Sequence, residues 1–175
     1  GVALTLNRLV GWLEAQGVVV KVFAPTADKP AFAHQGELVS VPSFPLPGRP
    51  EYRLALGMAG FVQRQLLDFQ PDLIHIAVPD LLGLAALKLA RKHGIPAVAS
   101  YHTRYETYLR HYWYLAWLEK PLKSYLRWFY GQAREVYVPS ESVREALLAD
   151  GLADNFKPWP RGIDTARFDP EKRSM

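Results

Sequence analysis

The sequence predicts an α/β fold built on a doubly wound parallel sheet, and three observations carry that expectation. Short apolar strands alternate with amphipathic helices along the chain. Prolines stand just past the strand runs at Pro25, Pro42, Pro79, Pro139 and Pro160, so in strands that share a direction they line one edge of the sheet. The third is size: 175 residues, 49% hydrophobic and 22% charged, can bury a core without disulfide staples.

The elements follow in order. Leu6, Leu9, Val10 and Leu13 recur at helical spacing and predict a first helix that stops near Gly17. The β-branched run Val18 to Ala24 reads as a buried strand ended by Pro25. A short strand from Glu37 to Val41 ends at Pro42. Residues 42–57 carry Pro42, Pro45, Pro47 and Pro50 and read as an ordered loop or extended arm. A helix from about Gly57 to Asp68 leads into a strand at Leu73 to Ala77. Asp80 is placed to cap a helix that runs to His93 and closes at Gly94. Pro96 to Ser100 and Glu135 to Val138 are further strands. Ser142-x-x-Glu145 reads as a capping box opening a helix to about Asp150, and Phe156 to Trp159 as a last strand. A helix opening at Val2 with no strand before it leads us to expect that the first, central strand is missing from the chain.

Composition excludes several classes. Without cysteine there is no Cys-ligated zinc, no iron–sulfur cluster and no thiol nucleophile. No apolar run reaches the ~18–20 residues of a membrane span. Gly1 to Leu4 carries no basic region of a signal peptide, so the expected location is cytoplasmic. Net charge is +4, which permits an anionic partner without demanding one.

Eleven of the twenty-two aromatic residues fall within residues 101–130: Tyr101, Tyr105, Tyr108, Tyr112, Trp113, Tyr114, Trp117, Tyr125, Trp128, Phe129 and Tyr130. Arg104, Arg110, Lys120, Lys123 and Arg127 are interleaved with them. Tyr and Trp suit a bilayer interface, and Lys and Arg suit anionic headgroups. This stretch therefore points to peripheral docking on an anionic membrane surface. The competing reading packs half of these rings into the core.

Four segments in order resemble glycosyltransferase family 4. The opening Gly1-Val2-Ala3-Leu4-Thr5-Leu6-Asn7-Arg8-Leu9, with Glu14-Ala15-Gln16-Gly17 and Val20 to Pro25, is similar to the start of that family. Pro71-Asp72-Leu73-Ile74-His75, Ser100-Tyr101-His102-Thr103 and Trp159-Pro160-Arg161-Gly162-Ile163-Asp164-x-x-x-Phe168 resemble its later motifs. Within the family the likeness leans toward bacterial α-mannosyltransferases that use GDP-mannose and toward sulfolipid synthases, through Pro42 to Gly48 and Tyr101 to Leu109. The family usually carries His where this chain has Val18.

The resemblance implies the N-terminal, acceptor-side half of a two-domain GT-B fold with a Rossmann-like core. Residues 1–160 would form that domain and 161–175 the start of an interdomain hinge, with the C-terminal nucleotide-sugar domain absent. It implies a retaining glycosyltransferase that moves a hexose, mannose by this likeness, from a nucleotide-sugar to a lipid or glycan hydroxyl. The isolated fragment would show no turnover. The resemblance makes His102 the catalytic residue, contacting the transferred sugar near the reacting carbon. It assigns Gly1, Val2, Arg161 and Gly162 to the donor phosphate and sugar, and Thr103, Arg104, Tyr105 and Glu106 to the acceptor. The donor, GDP-mannose on this likeness, is a substrate, and neither a cofactor nor a bound metal is expected. His75 lies within a strand and reads as a satisfied core histidine; Ser140 and Glu141 read as helix-capping residues. Two other readings compete: a non-catalytic peripheral lipid-binding domain, supported by the aromatic–basic stretch alone, and a GT-B-type nucleotide-sugar epimerase. A dinucleotide oxidoreductase would need Gly-x-Gly-x-x-Gly, which Val2 to Leu6 lacks. No recognition motif supports nucleic acid as a partner.

Overall fold

The computed structural model describes residues 2–27, 30–46, 49–102 and 117–160, without the side chains of 49–51. Its helices are α1 (Val2–Ala15), α2 (Gly60–Asp68), α3 (Leu81–His93), α4 (Glu119–Gly131) and α5 (Glu141–Ala149). Its strands are β1 (Lys21–Ala24), β2 (Glu37–Ser40), β3 (Ser43–Leu46), β4 (Arg49–Ala55), β5 (Ile74–Ile76), β6 (Ala97–Ser100), β7 (Glu135–Val138) and β8 (Phe156–Pro158). Strands β5-β6-β7-β8 form a four-stranded parallel sheet, β1 and β2 pair in parallel, and β3 and β4 pair antiparallel. The α/β class with parallel strands is as expected.

Right-handed crossovers through α3, α4 and α5 carry the chain one strand further each time, so all three helices belong on one face of the four-stranded sheet. Register and burial agree. Ile74, Ile76, Ala97, Ala99, Tyr101, Val136, Val138 and Phe156 alternate onto that face and are all buried. They join one core cluster with Leu87 and Ala90 of α3, Leu126, Phe129 and Tyr130 of α4, and Leu147 of α5. The opposite face carries His75, Val98, Ser100, Glu135, Tyr137 and Lys157. Val98 is buried but stands outside the main cluster, as a residue on that second face should.

Helix ends follow their sequence signals where the backbone permits. Asp80 accepts a hydrogen bond from the Gly83 N–H at 2.8 Å, and Gly94 closes α3 in the left-handed conformation at φ 68. Asp80→Ala is expected to cost about 1 kcal/mol of stability, read as a lowered urea midpoint. Helix α5 is capped by Ser140, which accepts from the Val143 N–H at 3.3 Å. The capping role expected of Ser140 is therefore met, and the helix begins one residue before the Ser142 of the expected capping box. Helix α2 begins at Gly60 and not near Gly57, because Gly57 sits at φ 89, outside helical geometry.

Two strand expectations are corrected. Only Lys21–Ala24 of the Val18–Ala24 run forms a strand, because pairing with β2 starts at Lys21↔Glu37. The Val18 N–H donates to Leu13 O of α1, and Val19 is 78% exposed. The proline-rich 42–57 segment is a β-hairpin. Its register breaks between Pro45 and Leu46, where proline brings no N–H to the ladder.

The base of the hairpin that follows β2 approaches the start of α3. Val41 N–H donates to Ala24 O and Leu56 N–H to Pro42 O, so the hairpin rises directly from the end of β2. At its base, a Cβ on Gly57 would stand 3.9 Å from Leu81 O, at the start of the helix that follows β5. At the other edge Lys21 lies over the Phe69 ring, 5.5 Å from its centroid. The Tyr125 hydroxyl donates to Pro79 O at 2.9 Å and fastens α4 to the carboxyl-edge loop.

Candidate functional site

The site grows from the alternation of one strand face. Ser100 on β6 pairs with Tyr137 on β7, and Tyr137 with Lys157 on β8. Two residues further on, the same side of the sheet carries His102 and Trp159 just beyond the strand ends. Ser100 is small and 1% exposed, and larger side chains converge over it. His75 Nε2 and the Ser100 hydroxyl share a hydrogen bond at 2.6 Å.

The rings form a continuous group. His75, Tyr137 and Trp159 stand in an edge-on triangle, each pair of centroids 6.2 Å apart. His102 also stands edge-on to Trp159, 6.3 Å between centroids at an interplanar angle of 60°. Such T-shaped contacts place the positive edge of one ring against the negative face of another.

Electrostatics around this group differ along the face. Burial pushes the His75 imidazole below its ordinary value of 6.5, so it stays neutral at neutral pH. Glu135 accepts hydrogen bonds from Lys157 and from the Tyr137 hydroxyl, which together hold its carboxyl below the usual range. Tyr137 is pushed up, first by burial and then by its bond to Glu135.

The depressed His75 value has a consequence for stability. Below a pH of about 6.5 the unfolded chain takes up a proton at this position before the folded chain does. Folding stability should therefore fall as pH drops through that value, with a slope from this group of at most about 1.4 kcal/mol per pH unit. His75→Gln, which keeps a hydrogen-bonding group beside Ser100, is expected to flatten that part of the curve in urea titrations at pH 7.5 and 5.

Of the residues expected to be catalytic or to bind donor or acceptor, His102 and Val2 lie among the described residues. His102 is half-buried at the carboxyl edge, one residue past Tyr101, which is buried and donates its N–H to Tyr137 O. Val2 is half-buried and opens α1. The opposite half of that helix meets the amino edge, since a Cβ on Gly36, just before β2, would stand 2.8 Å from Val10 Cγ1. Gly1, Thr103, Arg104, Tyr105, Glu106, Arg161 and Gly162 lie outside the described residues. His75 is the satisfied histidine expected. Trp159 and Tyr137 were not singled out for this site, although the alternation Glu135-Val136-Tyr137-Val138 already separates Tyr137 from its buried neighbours.

The aromatic-rich stretch divides. Tyr101, Phe129 and Tyr130 are buried and Tyr125 packs against the core, whereas Trp117 and Trp128 are exposed. Tyr105, Tyr108, Tyr112, Trp113 and Tyr114 lie outside the described residues. Among the described residues no helix is long and apolar enough to cross a membrane, and no three His, Asp or Glu side chains gather to hold a metal ion.

The family model described as Glycosyltransferase Family 4 matches residues 1–167. The chain is similar to the sulfoquinovosyl transferase SQD2 of Arabidopsis thaliana, 29% identical over 171 residues, covering 97% of this chain and 33% of that protein. It is similar to a GDP-mannose-dependent alpha-mannosyltransferase of Mycobacterium tuberculosis, 31% identical over 180 residues, covering 99% of this chain and 47% of the relative. It is also similar to the alpha-monoglucosyldiacylglycerol synthase of Streptococcus pneumoniae, 31% identical over 172 residues, covering 97% and 38% of the two chains. The chain thus spans between about a third and a half of the length of these relatives.

Proposed function

Because the chain belongs to glycosyltransferase family 4, we propose that it is the acceptor-side half of a retaining glycosyltransferase that moves a hexose from a nucleotide-sugar to a lipid hydroxyl. Mannose from GDP-mannose is the donor we favour, in keeping with the mannosyltransferases among its relatives. The observation that carries the reading is the seat of His102. In a chain that matches the family almost throughout, this imidazole stands beyond a parallel strand's carboxyl end, where open α/β sheets bind ligands.

Glycosyl transfer needs stabilisation of an oxocarbenium-like transition state and of a diphosphate that gains negative charge as it leaves. Backbone N–H groups at the start of α1, at Val2, suit the diphosphate. His102 suits the sugar at the reacting carbon. Gly1, Arg161 and Gly162 complete the donor side in this reading, and Thr103, Arg104, Tyr105 and Glu106 the acceptor side. Retention by front-face attack passes the acceptor's proton to the leaving phosphate and asks for no protein nucleophile.

The lipid acceptor is supported by exposed apolar side chains on the hairpin and on α4. Phe44 and Leu54 pair across the hairpin and are exposed, Leu46 and Tyr52 are exposed beside them, and Leu56 and Leu81 are exposed near its base. On α4, Lys120, Arg127 and Trp128 are exposed, with Arg127 Nε donating to Gly151 O. These surfaces fit peripheral attachment to the anionic, cytoplasmic face of a membrane.

The test is transfer by the full-length polypeptide from GDP-mannose, UDP-glucose or UDP-sulfoquinovose to diacylglycerol-based lipids and to soluble glycans. Hexose appearing on lipid supports the reading, and transfer to neither acceptor class overturns it. Co-sedimentation with anionic vesicles at low salt is expected, and its absence removes the membrane component.

A further inference from the structure

His102, with its proposed task at the reacting carbon, needs its ring aimed as well as placed. Its backbone is held by the strand: Tyr101 is buried and donates its N–H to Tyr137 O at 2.8 Å. The indole of Trp159 stands edge-on to the imidazole, 6.3 Å between centroids, and is itself held from several sides. Its backbone N–H donates to Val138 O at 2.6 Å at the end of β7. Its ring meets His75, which is tethered to Ser100, and Tyr137, which is tethered to Glu135. In strand order His75 is on β5 and Trp159 follows β8, so the two rings lean toward each other across the whole sheet. Small Ser100 beneath them leaves the room for that approach.

We infer that Trp159 is a positioning residue for His102: an indole held by its neighbours that steers the imidazole's orientation at the carboxyl edge of the sheet. The catalytic meaning of that orientation rests on the glycosyl-transfer reading; the ring contact does not. Trp159 bears on the reacting carbon only through His102. A Trp side chain has two torsions and a broad rigid face, so it holds a neighbouring ring at little cost in its own freedom.

The test separates the two claims. In this chain labelled at histidine, NMR reads the His75 and His102 Cε1–H resonances, with His102→Ala and His75→Gln providing the assignments. Trp159→Leu is expected to move both resonances, and Trp159→Phe, which keeps an aromatic ring, to move both less and in the same sense. A His102 resonance that stays in place while that of His75 moves overturns the inference. Should Trp159→Leu not fold, Trp159→Phe decides alone: an unmoved His102 resonance in that variant overturns it. In the full-length polypeptide Trp159→Leu is expected to lower kcat by about 10- to 100-fold with the donor KM little changed, and Trp159→Phe to restore most of the loss. Loss expressed wholly in KM also overturns the inference. If the unsubstituted polypeptide transfers no sugar, the glycosyl-transfer reading fails while the resonance result stands.

Discussion

His102→Ala in the full-length polypeptide is expected to lower kcat for sugar transfer by roughly 10²- to 10³-fold, the usual loss when one pre-oriented polar group at a charged transition state is removed. The expectation follows from the proposed role of the imidazole at the reacting carbon and from its seat at the carboxyl edge. The fold should tolerate the change. His102 is half-buried outside the β6 ladder, and its neighbour Tyr101 carries the packing on the helical face. A urea midpoint within about 1 kcal/mol of the parent would show that the loss is one of chemistry. His102→Gln, which keeps a hydrogen-bonding tip without a titrating group, should recover part of the rate. An unchanged kcat in His102→Ala retires the proposed role.

Gly83→Ala is expected to be the most damaging small change to stability, at about 3 kcal/mol. The reason is space and not backbone conformation. A Cβ at this position would stand 2.1 Å from Val78 O and 2.9 Å from Ile76 Cγ2. The nearer obstacle is backbone, which cannot rotate away as a flexible side chain could. Gly83 lies in the first turn of α3, and its N–H is the one that Asp80 caps. Relief of the clash must therefore push α3 away from the loop after β5 or pull that loop from the sheet. Either movement disturbs the carboxyl edge, because Pro79 O in the same loop accepts the Tyr125 hydroxyl. For a chain of this size the loss corresponds to a fall in Tm of roughly 6–12 °C by calorimetry. A fall of less than about 2 °C would mean that the close approach is not maintained in solution.

The elements that could be read in advance are those decided within a few residues. Asp80 and Gly94 bracket α3 because a carboxylate accepts from the first-turn N–H groups and glycine adopts the left-handed closing conformation. β6 and β7 were evident from short apolar runs, and His75 as a satisfied histidine from its place inside such a run. The hairpin at 43–55 was hidden because its prolines speak against a ladder. Pro45 is accommodated in a two-stranded ribbon, where the register breaks beside it. Val18 to Val20 carry strong strand propensity, yet they lie outside the ladder because β2 pairs only from Glu37 onward.

The candidate site divides in the same manner. His102 was reachable because it follows a recognisable strand end and a family-like motif. Its ring neighbour Trp159 lies 57 positions later, and no periodicity links residues so far apart.

By itself, the sequence determined the α/β class, the caps of its central helix, the direction in which its strands end, and the family to which it is related. These rest on short-range backbone preferences and on the order of motifs along one chain. Only the tertiary structure decided that His75, Ser100, Tyr137, Trp159 and His102 share a face. That outcome depends on the lateral order and register of β5 to β8, which are set by packing of the opposite face against three helices and leave no trace in local spacing.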